Sequence, residues 1–221
     1  MAFQPEKVQA VFFDIDGTLS DTDDQMVARA AGLLKPFFRS PDRRRSLARW
    51  IVMEMESPGN FIYNMADRFD LDSFFIRTLQ RISKRKRYTI KQYWMIPGAE
   101  EMIRACADRF PLGVVSARDE RTTSAFLSQF SLEKYFKVVV TSQTCRYTKP
   151  FPDPLIYAAD KLSIDPANCL MVGDTTVDMK AAKLAGMQAV GVLCGFGRER
   201  ELRRAGADLI LRSTADLLTL F

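Results

Sequence analysis

Two carboxylates, Asp14 and Asp16, follow the apolar run Ala10 to Phe13 with only Ile15 between them. The run has the character of a strand buried on both faces, and Gly17 and Thr18 break it. Buried strands do not ordinarily end in two nearby anions, because like charges raise each other's pKa unless something neutralises them. A bound cation is the simplest remedy, and with oxygen ligands only, Mg2+ fits best. The plain alternative is that Asp16-Gly17 is a turn after a strand.

Three further polar clusters follow apolar runs. Ser116 ends L-G-V-V-S-A-R, where a hydroxyl and the next backbone N–H, that of Ala117, could hold a phosphate oxygen; an ordinary turn serine would look the same. Lys149 stands in T-K-P-F-P-D-P, between stretches of chain that proline makes rigid, although a loop lysine is usually solvated. Asp174 and Asp178 stand in M-V-G-D-T-T-V-D, Met171 to Asp178. A helix dipole alone could account for Asp178. It does not account for Asp174 directly after a buried strand.

Taken in order, D-I-D-G-T-L, Ser116, Lys149 with P-D-P nearby, and G-D-T-T-V-D resemble the four motifs of the haloacid dehalogenase superfamily in its phosphatase form. The resemblance implies Asp14 as the nucleophile that takes up a phosphoryl group. Asp16 would be the general acid and base, with its backbone carbonyl also on the metal. Dehalogenases themselves lack that second Asp, so its presence argues for phosphoryl transfer. Ser116, Ala117 and Lys149 would hold the phosphoryl group, and Asp14, Asp16, Asp174 and Asp178 would form the Mg2+ site, with Asp178 as a second ligand or an outer anchor. The resemblance runs from Ala10 to about Thr214. The late stretch A-G-M-Q-A-V-G-V, with G-F-G and E-L-R-R-A-G-A-D after it, looks like the phosphoglycolate-phosphatase-like branch.

The expected function is therefore a Mg2+-dependent phosphatase. It would hydrolyse a small phosphorylated metabolite, phosphoglycolate-like or a sugar phosphate, through an aspartyl-phosphate. Three rivals stay open: a phosphosugar mutase of the same fold, a receiver-type phospho-switch, and a nucleic-acid-binding module.

Composition narrows the field. The 221 residues include no histidine, which excludes a histidine triad and most catalytic zinc sites. No G-x-x-x-x-G-K-[ST] or G-x-G-x-x-G occurs. Cys106, Cys145, Cys169 and Cys194 form no C-x-x-C pair and read as reduced, small apolar residues. No apolar run approaches the ~18 residues of a membrane span. The N-terminal apolar patch is interrupted by Asp14 and Asp16 and does not read as a signal peptide. A cytoplasmic monomer or homodimer is expected.

These residues need a scaffold that brings distant strand ends together. From Pro97-Gly98 onward, strands alternate with helices: strands at 112–115, 137–141, 169–172, 188–193 and 208–211, and helices at 99–109, 119–130, 154–162, 176–185, 199–205 and 214–220. That order predicts an α/β, Rossmann-like three-layer core with a parallel sheet, with ligands bound beyond the strands' carboxyl ends. Residues 1–20 and 95–221 would form this core.

Residues 21–94 carry helical patterns with no confident strand, and predict an inserted all-helical cap domain. The insertion holds 15 Lys and Arg against 9 Asp and Glu, whereas the rest of the chain holds 17 against 18. Arg43-Arg44-Arg45 and Lys84-Arg85-Lys86-Arg87 dominate it. The charge suits either a solvated helix face or a basic lid that steers anionic substrates. Nucleic acid is disfavoured because no recognised binding motif stands beside the charge.

Overall fold

Ala10–Phe13 forms β1 with all four residues buried, because the sheet is covered on both sides. The computed structural model describes residues 3–21, 32–35, 38, 40, 44, 48 and 92–221. The expected helices of the insertion lie outside the described residues, apart from those few positions. By contacts the chain divides into two compact units, Met1–Asp23 with Tyr93–Phe221, and Asp24–Gln92.

The first unit contains six strands: β1, β2 (Leu112–Val115), β3 (Phe136–Val140), β4 (Cys169–Gly173), β5 (Gln188–Val192) and β6 (Leu209–Leu211). Its helices are α1 (Ala99–Ala107), α2 (Glu120–Gln129), α3 (Asp153–Leu162), α4 (Thr176–Leu184) and α5 (Glu199–Ala205). All five strand pairings are parallel, in the order β3-β2-β1-β4-β5-β6. The order reverses between β1 and β4, which places the switch-point crevice at the carboxyl ends of these two neighbours.

The period of two along β1 sorts its side chains to opposite faces. Val11 and Phe13 join the core under α1 and α2, with Met102, Ile103 and Phe126. Ala10 and Phe12 join the core under α3, α4 and α5, with Leu155, Met179 and Leu202. Burying a side chain such as Phe12 or Phe13 contributes ~1.5–3 kcal/mol. Together the two clusters sandwich the sheet, so the three-layer α/β expectation holds.

Helix boundaries follow local chemistry. Asp119 caps α2, accepting from the Thr122 N–H at 2.7 Å. Gly186, at φ 78°, takes the left-handed turn after α4. The stretch expected as a last helix is a 3-10 helix over Thr214–Leu220, opened by a Ser213–Asp216 capping box. At its start the Thr214 hydroxyl donates to Thr18 O at 2.5 Å, which ties this turn to the end of the β1 loop. Among the described residues no helix is long and apolar enough to cross a membrane, and the four cysteines are free thiols.

Candidate active site

β1 and β4 deliver the acidic residues. The ladder runs one step past β1, with the Asp14 N–H donating to Val172 O at 3.0 Å. The chain then folds into a tight turn around Ile15. Its carbonyl accepts from the N–H groups of Thr18, Leu19 and Ser20 at 3.2, 2.9 and 2.8 Å. Gly17 occupies φ 71°, a conformation that strains any side chain with a Cβ. Ile15 and Leu19 are buried beneath the turn, and this fixes how Asp14 and Asp16 leave it.

At the end of β4, Asp174 and Asp178 are completely buried. Asp178 is the third residue of α4 and closes a capping box. Its Oδ2 accepts from the Thr175 N–H at 3.1 Å and the Thr175 hydroxyl at 2.6 Å. Its side chain lies so close to the strand end that a Cβ on Gly173 would sit 2.5 Å from Asp178 Cβ and Cγ. Asp174 is held at both oxygens, by the Thr18 hydroxyl at 3.2 Å on Oδ1 and by the Phe196 N–H at 2.8 Å on Oδ2.

Lys149 is no solvated loop lysine. It is buried, and its ammonium lies 2.9 Å from Asp14 Oδ1 and 2.5 Å from Asp178 Oδ1. The bond to the following Pro150 is cis. Burial pushes the Asp14 carboxyl up to about 7; Lys149 pulls it back, while Asp178 and Asp16 add to the rise. Asp174 is driven well above the usual carboxylate range by burial, then by Asp178 and Asp14, against the opposing bonds from Phe196 and Thr18. Burial alone would lower Lys149, but Asp14 and Asp178 outweigh it and hold the ammonium charged.

One carboxylate oxygen each from Asp14, Asp174 and Asp178 lies within 4.8 Å of the others. All three carboxylates are buried, and Lys149 lies directly against two of them, Asp14 and Asp178. A divalent ion would supply the missing charge, and a donor set made only of oxygen suits Mg2+. The cluster therefore fits the metal that the motifs imply. Asp16 contributes no carboxylate oxygen to it. Its side chain turns instead to Arg118, whose Nε and Nη2 lie 2.7 and 2.5 Å from Oδ2 and Oδ1.

Ser116 is buried at the end of β2, and its hydroxyl accepts from the Arg118 N–H at 3.2 Å. Ala117 follows, exposed. These two residues stand one strand over from Asp14, and Ser116 connects through Arg118 to Asp16. Asp14, Lys149, Asp174 and Asp178 are thus in one buried group, with Asp16 and Ser116 joined at its side by a residue the motifs did not single out. Thr18 and Phe196, which grip Asp174, were also missed. The S-A-R triplet was the one sequence signal for Arg118. Nothing in sequence spacing ties Phe196 to Asp174.

Comparison with known proteins agrees with this geometry. The family model for haloacid dehalogenase-like hydrolases matches residues 11–192. A phosphoglycolate phosphatase of Neisseria meningitidis is 28% identical over 200 residues, covering 87% of this chain and 83% of that protein. The pyrophosphatase PpaX of Bacillus pumilus is 27% identical over 218 residues, 96% of each chain. Among solved structures, one from Thermotoga maritima assigned as a beta-phosphoglucomutase superposes with a TM-score of 0.67 at 24% identity, covering 96% of this chain and 98% of that one. With the family model spanning most of its length, the chain belongs to the haloacid dehalogenase-like hydrolases.

Proposed function

We propose that this enzyme, a phosphoric monoester hydrolase, is a Mg2+-dependent phosphatase of small phosphorylated metabolites that works through an aspartyl-phosphate on Asp14. The observation that carries the reading is the buried Asp14 carboxylate after β1, 2.9 Å from the Lys149 ammonium and grouped with Asp174 and Asp178. Asp14, Asp174 and the backbone carbonyl of Asp16 would hold the ion, with Asp178 as a further ligand or as the group that fixes Lys149. When bound, Mg2+ supplies positive charge that keeps Asp14 ionised and offsets the phosphoryl oxygens.

In the first step an Asp14 oxygen attacks phosphorus in line. The new O–P bond forms as the bond to the leaving oxygen breaks. That oxygen departs with the electron pair and takes a proton from Asp16. In the second step Asp16 draws a proton from water, whose oxygen attacks phosphorus. Asp14 then leaves with its electron pair, and phosphate is released. Lys149, the Ser116 hydroxyl and the Ala117 N–H bear the charge on the equatorial oxygens.

Residues 1–20 and 95–221 serve as the catalytic core in this reading, and 21–94 as a cap that selects substrate. Support for the cap role comes from the basic excess of that segment. The relatives named phosphoglycolate phosphatase and pyrophosphatase support substrates with a second anionic group.

The test is hydrolysis of an aryl phosphate followed by a screen of phosphorylated metabolites. Activity should require Mg2+, vanish with chelator and be absent from Asp14→Asn. Hydrolysis that continues in chelator, or in clean Asp14→Asn protein, would overturn the reading. Incubation with hexose phosphates separates it from the mutase alternative: free phosphate is expected, and an isomeric sugar phosphate would favour the mutase.

A further inference from the structure

Asp16 has two jobs in the reaction above, and its place on a turn does not by itself aim it at either. The structure holds it from one side. Arg118 grips both carboxylate oxygens, through Nε at 2.7 Å and Nη2 at 2.5 Å. A two-point fork of this kind fixes the plane of a carboxylate as well as its place.

The fork is itself caged. The guanidinium carbon lies 5.0 Å from the Tyr93 ring centroid and 5.5 Å from that of Phe126. The two rings meet edge to face at 5.7 Å. Tyr93 is pinned to α2 in turn: its N–H donates to Gln129 Oε1 at 2.9 Å, and its carbonyl accepts from Gln129 Nε2 at 2.8 Å. The Arg118 backbone is equally fixed, donating to the Ser116 hydroxyl and accepting from the Ser142 N–H at 2.9 Å. Only 8% of the Arg118 side chain is exposed, against 26% of Asp16. The carboxylate thus has a rigid, largely buried wall on one side.

We infer that Arg118 is the positioning residue for Asp16: the caged guanidinium sets the carboxylate's orientation for proton transfer to the leaving oxygen and from water. The inference rests on the acid–base role given to Asp16 above. A residue that only neutralised a buried charge would need neither the fork nor the two rings.

Leaving-group dependence tests it. An alkyl phosphate needs a proton on its departing oxygen, and p-nitrophenyl phosphate does not. General acid assistance is worth about 10²–10⁴-fold. In Arg118→Met, which keeps an apolar stem between the rings, kcat/KM for the alkyl ester should fall ~10–100-fold more than for the aryl ester. Arg118→Lys restores charge without the fork and should recover less than about a third of that loss. In the Asp16→Asn background, Arg118→Met should add no more than about twofold.

Near-UV circular dichroism and the Mg2+-induced rise in Tm confirm folding. If the Met variant does not fold, the Lys variant carries the same comparison. Equal losses on both esters, or a full additional loss on top of Asp16→Asn, would overturn the positioning role alone. An unchanged alkyl-to-aryl ratio in Asp16→Asn itself would overturn the acid–base role along with it.

Discussion

The ammonium of Lys149 lies 2.9 Å from the carboxylate of Asp14, both groups buried, and the same ammonium reaches Asp178 at 2.5 Å. One cation therefore ties Asp14 at the end of β1 to the first turn of α4. Removing it leaves two buried carboxylates uncompensated, a change that costs about 3–5 kcal/mol in comparable buried pairs. Lys149→Met is expected to lower the stability of the metal-free protein by that order in urea denaturation. Its kcat should fall ~10²–10³-fold, as when one charge-stabilising donor is lost.

Asp14→Asn should behave oppositely in stability. The amide keeps the shape and removes a charge that burial disfavours. Turnover should disappear, while Tm in chelator at pH 8 should equal or exceed that of the unaltered protein. A lower Tm would mean that the Asp14–Lys149 pair outweighs the desolvation it entails.

The pH dependence of the metal-free protein follows from the direction of the shifts. Asp14 moves from 3.8 to about 7 on folding, and Asp174 moves the same way. Between those values the folded state keeps protons that the unfolded chain has released, so stability falls as pH rises. The contribution is fully present below about pH 4 and lost as pH climbs through 7. Thermal melts in chelator should show Tm declining across that window. Added Mg2+ should raise Tm more at pH 8 than at pH 5, because only the ionised cluster attracts it.

Gly173→Ala tests the close approach behind the acidic pair. The new Cβ would lie 2.5 Å from Asp178 Cβ and Cγ, so the first turn of α4 must shift. A loss of ~1–3 kcal/mol is expected from overpacking of this kind. The Mg2+ concentration giving half-maximal activity should rise ~10-fold or more, in line with disturbed outer-shell partners.

The basic insertion calls for a kinetic test. If Arg43, Arg44 and Arg45 or the run Lys84 to Arg87 steer substrate, kcat/KM for a doubly anionic substrate should fall more steeply with ionic strength than for a singly anionic one. Neutralising either run should flatten that difference and leave kcat nearly unchanged. Identical salt responses in all proteins would make the charge a solvated surface.

How much of this was legible in the sequence depended on whether a feature is local. V-F-F-D reads as a buried strand ending in an anion, and the structure buries all of β1. The Asp119 cap of α2 and the Gly186 stop of α4 are equally local features. The grip of Phe196 on Asp174 and the fork of Arg118 on Asp16 are not local. Each depends on two strand-end loops meeting across the sheet, at separations of 22 and 102 residues. Lys149 was legible as part of a motif, but not as a bridge between Asp14 and Asp178, because that requires the Asp178 side chain to pack against Gly173 at the end of β4. The balance of Asp178 between helix cap and site residue also resolves only in three dimensions: it is both.

The neighbouring of β1 and β4 has a consequence for how the protein comes into being. Thr18 and Asp174, which share a hydrogen bond, are 156 residues apart in the chain. During synthesis Asp14 emerges first, with one side of its strand open until β4 arrives. Closing so long a loop is entropically slow. A nascent chain released before β4 would carry Asp14 without Asp174 or Asp178, and with an apolar strand open on one edge in place of a central one. The chemistry is therefore silent until the polypeptide is nearly complete, and early truncation yields an aggregation-prone stub rather than a weakly active enzyme.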